Sequence, residues 1–263
     1  MSKIVDKTLR IGLLKCDTFI PEVRNKFGDI DVQFRNLLNQ NTINANVDLN
    51  VFEIASENRF PDKKDITSNH YNGFIITGSR SSVNDDNEWT NTLKDYIRFF
   101  SNNNIKTVGI CFGHQAIATA LGGEVTMNDK GWMVSDHSFK IKDSLQSNNN
   151  YSKIHKSLSP KDDSTINIIC SNKQIVSKIP QGFEIIGGSD ICPNHSMIKD
   201  NQFLSFQGHP EYTPNLIKTI IQTRRGLIPD DVIEDGIKRA DNSKIDQSTY
   251  ANTILNFFLN KDV

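Results

Sequence analysis

Thr107-Val108-Gly109-Ile110-Cys111-Phe112-Gly113-His114-Gln115 is an apolar strand that runs straight into a glycine-flanked cysteine and then a helix. The strand is predicted over Lys106–Cys111 and the helix over Gly113–Leu121. Gly122-Gly123 stops the helix, because glycine takes the left-handed cap conformation cheaply. A strand, a tight turn and a helix in this order make half of a βαβ unit, so the question is whether the neighbouring sequence repeats it.

It does. Leu9–Cys16 is a mostly apolar run of the kind buried on both faces of a parallel sheet. Asp31–Leu38 spaces Val32, Phe34, Leu37 and Leu38 as a helix does. Val47–Ile54 reads as a second strand and Gly73–Thr77 as a third, ending in Gly78-Ser79-Arg80-Ser81-Ser82. Glu88–Phe100 carries Trp89, Leu93, Tyr96, Ile97 and Phe100 on one helical face. Strands alternating with helices imply right-handed crossovers and a parallel sheet.

After Gly123 the pattern changes to short strands with little helix between them: Met133–Ile141, Thr165–Cys170, Phe183–Ile186, Met197–Lys199 and Phe203–Phe206. These predict a short antiparallel extension that returns to the main sheet near residue 206. The polar stretch 143–163 predicts a mobile loop. Pro214–Arg225, Asp231–Ile237 and Ser248–Leu259 predict closing helices. The fold class is α/β, an open, mostly parallel sheet flanked by helices. One domain is expected over residues 1–263, with a core of about 9–212 and C-terminal helices in 213–263.

A cysteine between a parallel strand and a helix sits at the carboxyl edge of the sheet, where such folds bind ligands. The helix N-terminus supplies unpaired N–H groups and partial positive charge, which favour an anion there. Gly109 and Gly113, at minus two and plus two, let strand and helix approach closely enough for a sharp, exposed turn. The N–H of Phe112 then points at a developing oxyanion. Downstream, Phe206-Gln207-Gly208-His209-Pro210-Glu211 follows a strand. Pro210 biases His209 toward an extended conformation, so side chains 209 and 211 project on the same side. A carboxylate at Glu211 can accept one imidazole N–H and leave the other ring nitrogen to take the thiol proton. Gly78 ends another strand at the same edge, and its N–H is a second candidate oxyanion donor. Gln115 is a candidate substrate contact. His114 lies on the helix and should face away from the thiol as a structural residue. His70, His137, His155 and His195 have no such constellation.

A net charge of −1 over 263 residues leaves no electrostatic footprint for nucleic acid or an anionic membrane. Mean hydropathy is −0.45, and no apolar run approaches the ~20 residues of a bilayer span. No secretory h-region opens the chain, so a cytoplasmic protein with reduced cysteines is expected. Cys16, Cys111, Cys170 and Cys192 show neither CxxC pairing nor a histidine at zinc-ligand spacing. No metal and no cofactor are implied.

Gly109–Gln115 and Gln207–Glu211, with Cys111 and His209 98 residues apart, resemble the two motifs of the class I, triad-type glutamine amidotransferase family. The opening Leu14–Thr18 and Gly73–Ser79 are similar to its stand-alone branch, near the GMP-synthetase-like amidotransferase domains. The resemblance implies a flavodoxin-like fold. It implies that Cys111 attacks the glutamine side-chain amide, that His209 shuttles the proton and that Glu211 orients His209. A γ-glutamyl thioester would form, ammonia would leave, and water would release glutamate. Gly78 and Phe112 would donate to the oxyanion, and Gln115 would hold the amino-acid end of the substrate. The family often contacts the glutamine α-groups through a Ser-His-Gly-Asp-like segment. Ser171 fits that segment, but Asn172, Lys173 and Gln174 depart from it. Arg80, where related sequences often carry a smaller or acidic residue, could reshape the pocket or pair with a substrate carboxylate.

Too few residues follow Glu211 for an ATP-binding acceptor domain. Two readings stay open: a hydrolase of glutamine that passes ammonia to a separate synthetase subunit, or a hydrolase of γ-glutamyl peptides such as glutathione. A catalytically silent regulatory subunit is a third reading, disfavoured by the intact Cys–His–Glu set. The cysteine-elbow proteases and chaperones usually carry histidine directly after the cysteine, where this chain has Phe112.

Overall fold

The computed structural model describes residues 8–143, 152–158 and 165–259. Its main sheet has nine strands: β1 (Thr8–Lys15), β2 (Asn46–Glu53), β3 (Gly73–Ile76), β4 (Thr107–Ile110), β6 (Met133–Ile141), β7 (Thr165–Asn172), β9 (Glu184–Gly188), β10 (Ser196–Lys199) and β11 (Phe203–Phe206). Their order is β2-β1-β3-β4-β11-β10-β9-β6-β7, and a separate hairpin pairs β5 (Glu124–Met127) with β8 (Gln174–Lys178). The contacts among β2, β1, β3, β4 and β11 are parallel. From β11 to β7 the pairings are antiparallel, as the change of pattern after Gly123 predicts.

Helices cover both faces: α1 (Pro21–Phe27), α2 (Ile30–Leu38), α3 (Ile54–Glu57), α4 (Lys63–Thr67), α5 (Glu88–Asn102), α6 (Phe112–Ala120), α7 (Ser152–Leu158), α8 (Pro214–Gln222), α9 (Asp230–Asp241) and α10 (Gln247–Leu259). The period-two alternation of the strands divides the core. Leu9, Ile11, Leu13, Ile75, Val108, Ile110, Leu204 and Phe206 pack with α2 and α10 on one face. Leu14, Phe74, Ile76 and Phe203 pack with α5 and α6 on the other. A third cluster joins Val23 of α1 to Leu216, Ile217 and Ile221 of α8 and Ile233 of α9.

The expectation of a mobile loop over 143–163 is corrected in part. Ser152–Leu158 is helical, and Ile154 and Leu158 are buried in the core cluster that includes α10. Two apolar residues one helical turn apart suffice to dock a short helix whose other positions are polar. Residues 144–151 and 159–164 lie outside the described residues.

The sheet register places the site. Phe206 pairs with Ile110 and Ile76 with Gly109, so β3, β4 and β11 end side by side. Gly78, Cys111 and His209 each follow one of these ends by one to three residues.

Candidate active site

Cys111 is the N-cap of α6, with φ 51° and ψ −100°. A positive φ is uncommon for a residue with a Cβ and marks a conformation held by its surroundings. Here the surroundings are two hydrogen bonds and two close approaches. Cys111 N–H donates to Phe206 O at 2.8 Å, and Gln115 N–H donates back to Cys111 O at 3.1 Å. A Cβ at Gly113 would collide with the Ile76 carbonyl, and one at Gly109 would stand 2.7 Å from the Gly113 carbonyl. Glycine is therefore required at both positions for β3, β4 and α6 to pack as they do. Phe112 opens α6, where helix geometry leaves its N–H without an intrahelical acceptor. Its ring packs 5.4 Å from that of Trp89.

His209 lies beside Ile169 of β7, to whose carbonyl its N–H donates at 2.6 Å. Its Nδ1–H donates to Glu211 Oε1 at 2.8 Å. Both side chains are buried. Glu211 Oε2 has no hydrogen-bond partner among the described residues, so the imidazole is the carboxylate's polar contact. The ring stacks on Tyr212, with centroids 4.0 Å apart and planes 8° apart. Its Cε1 edge faces Gly78, where an added Cβ would stand 2.5 Å away. Burial alone would lower the pKa of His209, but the charges of Cys111 and Glu211, and side-chain hydrogen bonds to both, outweigh it and raise it to about 10. The imidazole thus stands between a sulfur and a carboxylate in a site that favours its protonated form.

Gln207, part of the second motif, is placed by the fold next to the cysteine. Its N–H donates to His195 O at 2.7 Å, and its side-chain Nε2–H reaches Cys111 Sγ at 3.7 Å. Gln115 in turn donates from Nε2 to Gln207 Oε1 at 3.1 Å and to Gln174 O at 2.8 Å. Both amide hydrogens of Gln115 are committed to the protein, and its carbonyl oxygen is what it has to offer a ligand.

Cys111 and Gln115 line a cavity of about 450 Å³ together with Ser171, Lys173, Arg80 and Arg224. Met127 and Leu227, the exposed large apolar side chains of the described residues, also line it. A second cavity of about 140 Å³ lies on the His209 side. Gly78, His209 and Tyr212 line it with the apolar Phe19, Ile20 and Val23, and it shares Ser79, Arg80, Ser171 and Arg224 with the first. Arg80 therefore borders both spaces, but its guanidinium is paired bidentately with Asp17 at 2.7 and 2.8 Å. Ser171 accepts from Arg224 Nη1 at 2.9 Å. Asn172 ends β7, Lys173 makes the turn and Gln174 opens β8. Asp17 and Arg224 were not singled out by sequence. Asp17 lies in the Leu14–Thr18 opening with nothing there to assign it a role, Arg224 lies in no motif, and each reaches the site through contacts more than fifty residues away in the chain.

The remaining histidines and cysteines are elsewhere. His114 is fully buried, its Nδ1 lies 2.8 Å from Ser205 Oγ, and burial lowers its pKa to about 3. It is a neutral core residue. Cys170 Sγ lies 3.6 Å from His195 Nε2, which superficially resembles a second thiol–imidazole pair. Both side chains are fully buried. Burial pushes the Cys170 thiol up and lowers His195 to about 3, so the pair is neutral. Burial likewise pushes up Cys16 and Cys192. Among the described residues no group of His, Cys, Asp and Glu side chains could hold a metal, and no helix is long and apolar enough to cross a membrane.

The model of the class I glutamine amidotransferases matches residues 27–224, which include the elbow, the His209 segment and the helix between them and Arg224. The chain belongs to the class I glutamine amidotransferase family. A glutamine amidotransferase-like protein of Schizosaccharomyces pombe is 30% identical over 258 residues, covering 95% of this chain and 98% of the relative. Gamma-glutamyl peptidase 4 of Arabidopsis thaliana is 32% identical over 166 residues, 63% of this chain and 62% of the peptidase. The crystal structure of a glutamine amidotransferase from Methylobacillus flagellatus superposes with a TM-score of 0.65 over 96% of this chain and 94% of the other, at 17% identity. That likeness shows the fold of this amidotransferase-family chain.

Proposed function

We propose that this protein is a cysteine-dependent hydrolase of γ-glutamyl amides. Cys111 Sγ attacks the side-chain carbonyl carbon, and the N–H groups of Phe112 and Gly78 take the oxyanion. The imidazolium of His209 gives its Nε2 proton to the leaving nitrogen as the C–N bond breaks, leaving a γ-glutamyl thioester. Water then attacks the thioester and gives a proton to His209. The C–S bond breaks, glutamate departs and the thiolate–imidazolium pair is restored. Glu211 holds the ring by its Nδ1–H throughout.

The observation that carries this reading is the pairing of a cavity-lining cysteine on a positive-φ elbow with a buried histidine bound to Glu211 at 2.8 Å. Its first substrate is glutamine, whose released ammonia would pass to a separate synthetase subunit. The second cavity favours γ-glutamyl peptides as a further reading. A general acid must stand beside the leaving group, so the space next to His209 is where a leaving group larger than ammonia would lie.

Turnover of glutamine, glutathione and γ-glutamyl dipeptides by wild-type and Cys111→Ala protein tests the proposal. Wild type releases glutamate from at least one of them, and Cys111→Ala from none while remaining folded. Near-normal turnover by Cys111→Ala sinks the covalent mechanism.

A further inference from the structure

The cavity that holds Cys111 has a one-sided charge. Arg80, Lys173 and Arg224 line it, and none of its lining residues is Asp or Glu. A site of that sign selects an anionic ligand. The three cations are not equivalent. Arg80 is neutralised by its bidentate pair with Asp17. Lys173 lies over the Trp132 ring, 6.0 Å from its centroid. Arg224 forms no ion pair with a carboxylate among the described residues. Its side chain is half-buried and donates one hydrogen bond, from Nη1 to Ser171 Oγ. A guanidinium has five donors in a planar fork that matches a carboxylate.

The backbone holds this side chain in place. Arg224 follows α8 in a tight turn, its N–H donating to Ile221 O at 3.1 Å and its carbonyl accepting from Leu227 and Ile228 at 3.0 Å each. Ile221 and Ile228 are buried on either side of it. The arginine is therefore fixed at the wall shared by the two cavities, its charge unspent.

We propose that Arg224, supported by Ser171, binds the α-carboxylate of the γ-glutamyl substrate and so sets the requirement for an amino-acid end on that substrate. This rests on the γ-glutamyl hydrolase reading. Every γ-glutamyl compound carries that carboxylate, whatever its leaving group, so the residue acts on glutamine and on γ-glutamyl peptides alike. Asn172, Lys173 and Gln174 do not follow the family's segment for the α-groups; with Lys173 over the Trp132 ring, Arg224 supplies from the turn after α8 a guanidinium that no carboxylate pairs among the described residues.

The test compares Arg224→Met and Arg224→Lys with wild type on glutamine, a γ-glutamyl dipeptide and 4-aminobutanamide, which is glutamine without its α-carboxylate. Calorimetric binding of the same compounds to the Cys111→Ala forms gives a second readout that needs no turnover. Arg224→Met is expected to raise KM for glutamine and the dipeptide equally, by about 10–100-fold as for a lost charged hydrogen bond, with kcat nearly unchanged. Its handling of 4-aminobutanamide should match wild type, so the preference for glutamine over that analogue collapses. Arg224→Lys should recover part of the loss. An unchanged glutamine-to-analogue ratio in folded Arg224→Met overturns the assignment, as does a loss confined to the dipeptide, which would place the guanidinium on the leaving group. A wild-type protein that hydrolyses no γ-glutamyl compound overturns the hydrolase reading itself, before any Arg224 variant is compared.

Discussion

Replacing Gly78 with alanine isolates the position of His209 from every other feature of the site. The new Cβ would stand 2.5 Å from His209 Cε1 and 3.4 and 3.5 Å from Nδ1 and Nε2, so it meets the ring edge-on at one carbon. Ordinary van der Waals contact begins at 3.4 Å, and a shift of about 1 Å is needed. The loop is poorly placed to supply it. Thr77 N–H is bound to Leu14 O at 3.1 Å, and Arg80 N–H is bound to Asp17 Oδ2 at 2.8 Å. The ring must move instead, sliding along the face of Tyr212 and stretching its 2.8 Å bond to Glu211. Alanine keeps the N–H of residue 78, and Gly78 does not have a left-handed φ, so neither donor loss nor backbone strain confuses the outcome. A misplacement of about 1 Å costs about 100-fold in rate, or ~2.7 kcal/mol of transition-state stabilisation. Steady-state kcat on the best γ-glutamyl substrate, measured beside a thermal melt, reads it. A folded Gly78→Ala protein within about threefold of wild-type kcat refutes the claim that Gly78 sets the imidazole in place.

Glu211→Gln should lower kcat by about 100-fold, within the range of general acid–base contributions, and by less than Cys111→Ala does. It should also move the alkaline limb of the pH–rate profile to lower pH, because the carboxylate is one of the two charges that hold the His209 proton. The same linkage appears in stability. The pKa of His209 is raised from its ordinary value near 6.5 to about 10 in the folded protein, so its contribution is fully present below about pH 6.5 and lost as pH rises toward 10. Melting temperatures of wild type should therefore fall between these values, and Glu211→Gln, with a smaller upward shift at His209, should lose a smaller contribution over a narrower range that ends at lower pH. A pH-independent difference between the two proteins contradicts the linkage.

The parts legible in the sequence are those that local physics dictates. Met133–Ile141 and Phe203–Phe206 match their strands to the residue and the other predicted strands lie within two; for the parallel ones this is because buried parallel strands are continuous apolar runs bounded by glycine or polar turns. The elbow was legible because Gly109 and Gly113 stand where only glycine fits. What escaped was set by tertiary contact. Helix α1 buries one residue, Val23, and so has no apolar stripe to detect. Strand β5 buries Val125 and exposes its three other residues. Helix α7 is a polar stretch apart from Ile154 and Leu158. Arg224 lies in a region that reads as closing helices, 53 residues from its partner Ser171, and no local pattern announces it. The pairing of Arg80 with Asp17 was equally hidden, since sequence gives the charge of a residue and not what neutralises it.

Covalent trapping puts the assignment of Cys111 as the nucleophile to the test. Folded protein is treated with a glutamine-like diazo ketone, and intact mass and peptide mapping locate the label. One adduct is expected, on Cys111, absent from Cys111→Ala and formed more slowly in His209→Asn. A folded wild-type protein that leaves Cys111 unlabelled, or carries the label on Cys16, Cys170 or Cys192 instead, contradicts it.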